Sequence, residues 1–207
     1  IKTKISLKSL FENEFLITNI NASTKSIEIK NLISFFQSLN RSTELFILEK
    51  FVKKGYFIAD IKLEFNEEGK IKDNYEVNGF IKDTKLNVFK KYNFQKLNLI
   101  FRYEKDQLSL NDIVFLLNDL NFSSEGILLK KIQKEFLING NINHKKLDIE
   151  EGNLALFFKP HLSGINIKKL RLSSNNNFSF KVNEKFEIND FEFDSKVSID
   201  DLLVTNG

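Results

Sequence analysis

There is no cysteine in these 207 residues, which removes disulfides, thiolate metal sites and cysteine nucleophiles together and leaves the redox compartment open. Histidine is almost as scarce. His144 and His161 are the only two, 17 positions apart with no acidic partner at ligand spacing, so neither a zinc site nor a histidine base is supported. The eight glycines form no GxGxxG or phosphate-cradling loop. Glu67-Glu68, Glu150-Glu151 and Asp200-Asp201 are paired carboxylates, but each reads as an ordinary acidic turn. No catalytic residue, metal ligand or cofactor site emerges, and the chain is expected not to be an enzyme. Methionine is missing too, so the sequence reads as a piece of a longer protein, and a leader or anchor has to be sought outside it. No apolar run reaches the roughly 18 residues that a membrane-spanning helix needs. Net charge is only +3, with Lys interleaved among Asp and Glu, which leaves no electrostatic footprint for nucleic acid.

What is present is apolar and aromatic. Hydrophobic residues make up 42% of the chain and 22 are Phe, enough to bury a substantial core. Arg41, Arg102 and Arg171 are the only arginines. With abundant Lys, Asn, Ile and Phe and little Ala or Pro, the composition looks like the codon bias of an AT-rich genome.

Residues 1 to 30 read as short strands, with Ile1, Thr3, Ile5 and Leu7 alternating against Lys and Ser, then Phe15 and Ile17, then Ile27 and Ile29. The period then changes. Leu32, Phe35, Phe36 and Leu39 follow Asn31, a candidate N-cap, at helical spacing. A second helix is predicted from about Thr43 to Lys54, capped by Ser42, with Lys50, Lys53 and Lys54 in its last turn and Gly55 to stop it. From Gly55 onward the pattern is strand after strand: Phe57, Ala59, Ile61, Leu63 and Phe65; Val77, Gly79 and Ile81; Leu97, Leu99, Phe101 and Tyr103; Phe136, Ile138, Gly140 and Ile142; Leu154, Leu156 and Phe158; Ile165 and Ile167; Phe178, Phe180 and Val182; Phe191 and Phe193.

One stretch recurs. Val77-Asn78-Gly79-Phe80-Ile81, continuing to Val88, aligns without a gap on Ile138-Asn139-Gly140-Asn141-Ile142, continuing to Ile149, a spacing of 61 residues. A looser copy starts at Gly164. Such self-similarity points to stacked supersecondary units and an elongated body. The whole chain, 1–207, is read as one elongated segment with a helical insert at about 31–54 and repeat units starting near 77, 138 and 164. His144 falls where the first copy has Asp83, which reads as an exposed turn position.

A shorter motif occurs three times, as Leu110-Asn111-Asp112-Ile113, Leu117-Asn118-Asp119-Leu120 and Ile188-Asn189-Asp190-Phe191. Alternation slips by one residue at each Asn-Asp pair. A β-bulge there keeps the apolar side chains on one face and bends the strand; a plain turn is the alternative for the second copy.

Short connections and alternation predict an antiparallel sheet with one wet face, rich in Lys, Asn, Asp and Glu, and one dry face rich in Phe and Leu. Two architectures fit that pattern. In one the sheet closes on itself or a second sheet, and the rings are core; in the other it curls into a mainly β, open apolar groove. Candidate lining residues are Phe57, Ile61, Leu63, Leu97, Leu99, Phe101, Phe136, Ile138, Ile142, Leu154, Leu156 and Phe180. Lys130, Lys131, Lys168 and Lys169 are a candidate rim, with a solvated face as the simpler reading.

The run Ile5-Ser6-Leu7-Lys8-Ser9-Leu10, then Phe15 to Ile20 and Ile27-Glu28-Ile29, a helix ending at Gly55, Val77-Asn78-Gly79 and the Leu-Asn-Asp-Ile segment together resemble AsmA-like envelope proteins. These are the YhdP- and TamB-type group of repeating β-groove lipid-transfer proteins, and the resemblance covers most of the chain. It implies a periplasmic protein anchored in the inner membrane by a helix outside these residues, whose groove conducts phospholipid towards the outer membrane. It brings no catalytic motif and no cofactor. A structural or adhesive β-repeat, binding another protein through an edge strand, is the other reading of the same pattern.

Overall fold

The structure is a computed structural model that describes residues 2–5, 17–39, 43–66, 68–150, 166–185 and 187–205. Leu154, Leu156, His161, Gly164 and the capping position Ser42 lie outside the described residues. The chain is mainly β, as its alternation requires: the described residues form one open antiparallel sheet of eleven strands, not closed into a barrel, with two short helices.

The first strands are short: β1 (Lys2–Ile5), β2 (Ile17–Ser23) and β3 (Ile27–Glu28). Helices α1 (Ile29–Leu39) and α2 (Thr43–Phe51) follow. A long meander comes next: β4 (Val52–Glu64), β5 (Glu76–Val88), β6 (Tyr92–Glu104), β7 (Gln107–Leu117), β8 (Leu120–Ile132), β9 (Glu135–Glu150), β10 (Asn166–Asn183) and β11 (Ile188–Thr205). From β4 to β11 every strand pairs with the one before it; β2 pairs with β4, β1 with β2, and β3 sits beside β4 off the main path. The repeated segments fall on β5 and β9, four strands apart and running the same way. The described part of the looser copy lies on β10, antiparallel to β9.

Primed turns hold the meander together. Lys105-Asp106 (φ 46° and 60°) and Asn118-Asp119 (φ 48° and 68°) are two-residue loops with both residues left-handed, the turn whose twist matches that of the strands it joins. Between β4 and β5, Asn66 Oδ1 accepts from the amides of Glu68 (3.1 Å) and Lys70 (2.9 Å), and Gly69 takes φ 75°, as the acidic Asn-to-Gly stretch suggests.

Inside the strands, left-handed residues recur at Asp83 (φ 49°), Lys96 (51°), Asp112 (50°), Lys146 (52°) and Asp190 (50°). Each coincides with a register shift against a neighbouring strand. These are bulges, which add twist and bend, and they explain how one sheet curls without closing. The first and third Asn-Asp motifs are bulges and the second is the β7–β8 turn. Polar side chains take up the amides that the irregularities release. Asn98 Oδ1 accepts from Asp83 N at 3.0 Å, Asn141 Oδ1 from Glu125 N at 2.9 Å, and Ser173 Oγ from Lys146 N at 3.1 Å. Some of the Asn that composition alone credits to codon bias therefore has a structural task.

The helices differ in detail from their sequence reading. The first begins at Ile29, so Asn31 is inside it and is not its cap. The second ends at Phe51, and Gly55 is not a stop signal but a strand residue at φ 149°. Burial of Val52 (2% exposed) favours extending the chain early, and Lys53 Nζ donates to the Lys50 carbonyl at 2.7 Å, satisfying a helix-end acceptor. A Cβ on Gly55 would strike Thr84 Oγ1 and come within 2.9 Å of Ile29 Cδ1. Asp200-Asp201 is likewise not a turn; it lies within β11 at a register shift opposite Arg171.

Gly79, the glycine of the repeat, sits between Ala59 on β4 and Phe101 on β6. A side chain there would run into the Ile58 carbonyl oxygen and, at 2.8 Å, the Ala59 Cα. Both are backbone atoms that a rotamer change does not move. Gly126 has only ordinary or slightly tight neighbours, at 3.3 Å and 3.5 Å. Gly79→Ala is therefore expected to cost about 1–3 kcal/mol, well above Gly126→Ala, in paired urea titrations; equal costs would show that β4 and β5 do not approach this closely.

Candidate functional site

The inward face of the sheet follows from the register. Phe57, Ala59 and Ile61 on β4 lie opposite Ile81, Gly79 and Val77 on β5, which lie opposite Leu99, Phe101 and Tyr103 on β6. Phe101 and Tyr103 lie opposite Leu110 and Leu108 on β7, and those opposite Ile127 and Leu129 on β8. Ile127 and Leu129 pair with Gly140 and Ile138 on β9, and these with Phe178 and Phe180 on β10. One apolar surface thus crosses from β4 to β10 without interruption.

It continues onto β11. Phe193 faces Phe178, Val197 faces Ser174, Ile199 faces Leu172, and Leu202 faces Leu170. Rings of Phe178, Phe180, Phe191 and Phe193 follow one another at centroid spacings of 5.9 to 6.2 Å. No second sheet lies on this face among the described residues; strands pack on their sheet neighbours, and the helices lie on β3, β4 and β5, where Ile29 comes against Gly55 and the inward Thr84.

Exposure changes along the surface. Leu99 (8%) and Phe101 (6%) are buried in a cluster with Ala59 and Ile113, half-covered by Phe57, Val77, Leu110 and Ile127 of the same face. The rings of Phe57 and Phe101 stack at 5.2 Å across Gly79, whose missing side chain lets two flanking strands roof the one between them. Toward the last strand that mutual cover runs out. Ile188, Phe191, Phe193, Val197 and Ile199 are 57–62% exposed.

All the described candidate lining residues take the inward side by alternation. Phe57, Ile61, Leu63, Leu97, Ile138, Ile142 and Phe180 are half-buried, Phe136 is exposed, and Leu99 and Phe101 are the two that neighbouring rings cover. Sequence reasoning missed much of the rest. Leu120, Leu147, Ile149, Leu170 and Leu172 form a second buried cluster toward the opposite rim, with Phe122 and Ile167 against it. Strand β8 escaped notice because Ile127-Leu128-Leu129 is a continuous apolar run; Val197 and Ile199 do alternate and were legible.

The two clusters are separated by a polar stripe. Ser124, His144, Ser174 and Asn176 share the inward side by register. Their hydrogen bonds are internal: Ser124 Oγ donates to Asn141 Oδ1 (3.1 Å), and Asn176 Nδ2 to the Ile142 carbonyl (2.8 Å) and Ser174 Oγ (2.9 Å). Ser195 Oγ on β11 donates to Asn176 Oδ1 at 2.6 Å. The floor is therefore two apolar tracks divided by a polar seam largely hydrogen-bonded within the sheet.

His144 belongs to that seam. It is not an exposed turn residue but lies within β9, half-buried, its ring edge-on to Phe122 at 4.0 Å and its Nδ1 3.2 Å from the Asn121 carbonyl. Burial lowers its pKa and the hydrogen bond to Asn121 offsets this in part. At the rim, the Tyr75 and Tyr103 hydroxyls lie 3.4 Å apart in a shared hydrogen bond, and holding the Tyr103 proton in that bond, then burial, pushes the Tyr103 pKa up to about 12.

The four candidate rim lysines do not gather. Lys130 and Lys131 end β8 at one rim, whereas Lys168 and Lys169 begin β10 at the other, with Lys169 Nζ 3.7 Å from Asp201. The outer face is not uniformly wet: Ile58, Phe80 and Ile100 lie side by side on it and are 36%, 53% and 36% exposed. Among the described residues no group of three or more His, Cys, Asp or Glu is placed to hold a metal ion. No protein-family model, curated protein or solved structure matches the chain.

A lowered imidazole pKa means that the folded state disfavours the charged ring, so the stability His144 contributes is fully present above its ordinary value of 6.5 and is lost as pH falls. In urea titrations at pH 7.5 and 5.5, His144→Gln should reduce the loss of stability on acidification. An unchanged pH dependence would show the ring to be freely hydrated.

Proposed function

We propose that this chain is a segment of a periplasmic, inner-membrane-anchored bridge that conducts phospholipid towards the outer membrane, with acyl chains on the inward face of the sheet. One observation carries the reading: among the described residues that face runs unbroken from β4 to β11, has no second sheet on it beyond the helices at its β4–β5 end, and carries apolar side chains more than half exposed on β11. A contiguous exposed apolar surface on an ordered protein marks an interaction site. The resemblance to AsmA-like groove proteins supports the same guest, the same compartment and an anchor outside these residues.

The energetics suit passage along a surface. Each acyl CH₂ kept out of water is worth about 0.8 kcal/mol, so an apolar floor lets a lipid leave a bilayer while keeping its burial. Phe, Leu and Ile offer no directional bond that would fix one position. Most of the polar seam's groups are already hydrogen-bonded within the sheet, which weakens it as a trap. Head groups stay in solvent at the rims.

Native mass spectrometry after gentle purification should find phospholipid adducts that organic extraction removes. Phe193→Asp with Ile199→Asp changes two exposed side chains and should lower occupancy about tenfold, the equivalent of about two methylenes of lost contact, with little change in melting temperature. A reproducibly lipid-free protein that also fails to bind an apolar dye would overturn the reading.

A further inference from the structure

The two helices leave much of their apolar surface uncovered. Phe35 and Phe36 on α1, Phe46, Ile47 and Leu48 on α2, and Phe89 in the β5–β6 turn are 43–76% exposed. They are neighbours: the Phe35 and Phe36 rings meet edge-on at 5.6 Å, Gln37 Nε2 on α1 donates to Glu49 Oε2 on α2 at 3.1 Å, and Phe51 at the end of α2 meets Phe89 edge-on at 5.4 Å. The hairpin is an insert between β3 and β4, with Ile33 and Val52 as buried anchors, so its uncovered side is not an open sheet edge.

At Phe89, residue type and local conformation disagree. Phe89 takes φ 52° and Lys90 φ 57°, with Lys91 N donating to the Val88 carbonyl at 3.1 Å, a primed turn that favours Asn and Gly and penalises a bulky side chain. The ring stays 76% exposed, so its contact with Phe51 offsets little of that cost.

Lysines stand beside these rings. Lys50 Nζ lies over the Phe46 ring at 4.2 Å, Lys91 Nζ over Tyr92 at 5.1 Å and Lys54 Nζ over Tyr56 at 6.0 Å, with Lys53 and Lys90 next to them in sequence. The acidic residues of 29–54 are Glu44 and Glu49, and Glu49 is held by Gln37. Exposed Phe, Ile and Leu with Tyr and Lys beside them suit the headgroup boundary of a bilayer, rings towards acyl chains and ammonium groups towards phosphate. A second copy is disfavoured, because it sets the same lysines against one another. The apolar side chains have no directional bond with which to fix a protein partner in one register, and a fluid bilayer needs none.

We infer that the helical hairpin and the β5–β6 turn form a docking surface for an anionic lipid bilayer. The hairpin lies at the β4–β5 end of the apolar floor, where Ile29 meets Gly55 and the inward Thr84, so docking sets that end of the floor against the bilayer. This interaction goes beyond the proposed conduction and holds whether or not the floor carries lipid.

Flotation of the 207-residue chain with vesicles of phosphatidylcholine alone, or of equal parts phosphatidylcholine and phosphatidylglycerol, tests it. The chain should float with the mixed vesicles, release as salt rises, and float poorly with phosphatidylcholine alone. Lys90→Gln with Lys91→Gln should weaken binding about thirtyfold, the worth of two lysines at an anionic surface. Phe89→Asn suits the turn and should not lower the melting temperature, yet combined with Phe46→Ser it should weaken binding by about tenfold or more. The chain has no Trp, so Phe46→Trp supplies a single reporter whose emission lipids brominated in the acyl chain should quench, whereas Val114→Trp, at an exposed position of β7, should be unaffected. Phe193→Asp with Ile199→Asp should leave flotation unchanged, which separates this surface from the lipid-conducting floor. Flotation indifferent to phosphatidylglycerol, hairpin variants that float like the unaltered chain, equal quenching at both reporter positions or at neither, flotation lost with the β11 changes, or lost self-association in sedimentation as the sole effect of the hairpin variants would each overturn the proposal.

Discussion

A single sheet with one apolar side must hide that side or present it, and this constraint governs the rest of the molecule. Backbone hydrogen bonding satisfies each strand through its neighbours but does nothing for the Phe and Leu side chains that stand on one face. Most domains answer with a second layer. Here the answer is curvature: left-handed residues at Asp83, Lys96, Asp112, Lys146 and Asp190 bend successive strands, and the bent strands bring rings over their neighbours, as Phe57 and Phe101 do above Gly79. Cover of this kind needs a flanking strand on each side. It holds in the middle of the sheet and fails at β11, where inward side chains are left more than half exposed.

The same logic assigns a role to the polar residues. Every bulge releases a backbone donor, and unpaired donors away from water are costly. Asn98, Asn141 and Ser173 meet that demand from adjacent strands. The seam of Ser124, His144, Ser174 and Asn176 places polar atoms on an otherwise apolar floor, yet pairs them internally. What faces outward from the floor is therefore apolar contact with few unmet hydrogen bonds, suited to a guest that is itself apolar.

Much of this was legible beforehand, because period-two alternation survives wherever only one face is dry. Strands β4, β5, β6, β9 and β10 could be placed from their Phe, Ile and Leu residues, and the Asn-Asp slip identified two bulges and one turn. What escaped has particular causes. The Lys105-Asp106 turn is left-handed without glycine, so it lacks the usual signal. Strand β8 hides in the unbroken run Ile127-Leu128-Leu129. Gly55 was misread because a glycine after a helical pattern fits a C-cap, whereas its real demand is the closeness of Thr84 and Ile29. His144 was misplaced by analogy with Asp83: the bulge on β9 falls two positions later in the repeat, at Lys146, which leaves His144 pointing inward. Whether the apolar face is roofed is a property of tertiary arrangement, and alternation is identical in both cases.

Site-specific photo-crosslinking to a phospholipid carrying a reactive group in its acyl chain tests the open apolar face most directly, using a crosslinker introduced in turn at each position of β11 from Phe191 to Ile199. The account requires adducts with a period of two, strong at Phe191, Phe193, Val197 and Ile199 and weak at Glu192, Asp194, Lys196 and Ser198. Adducts at every position alike, or at none, would contradict it.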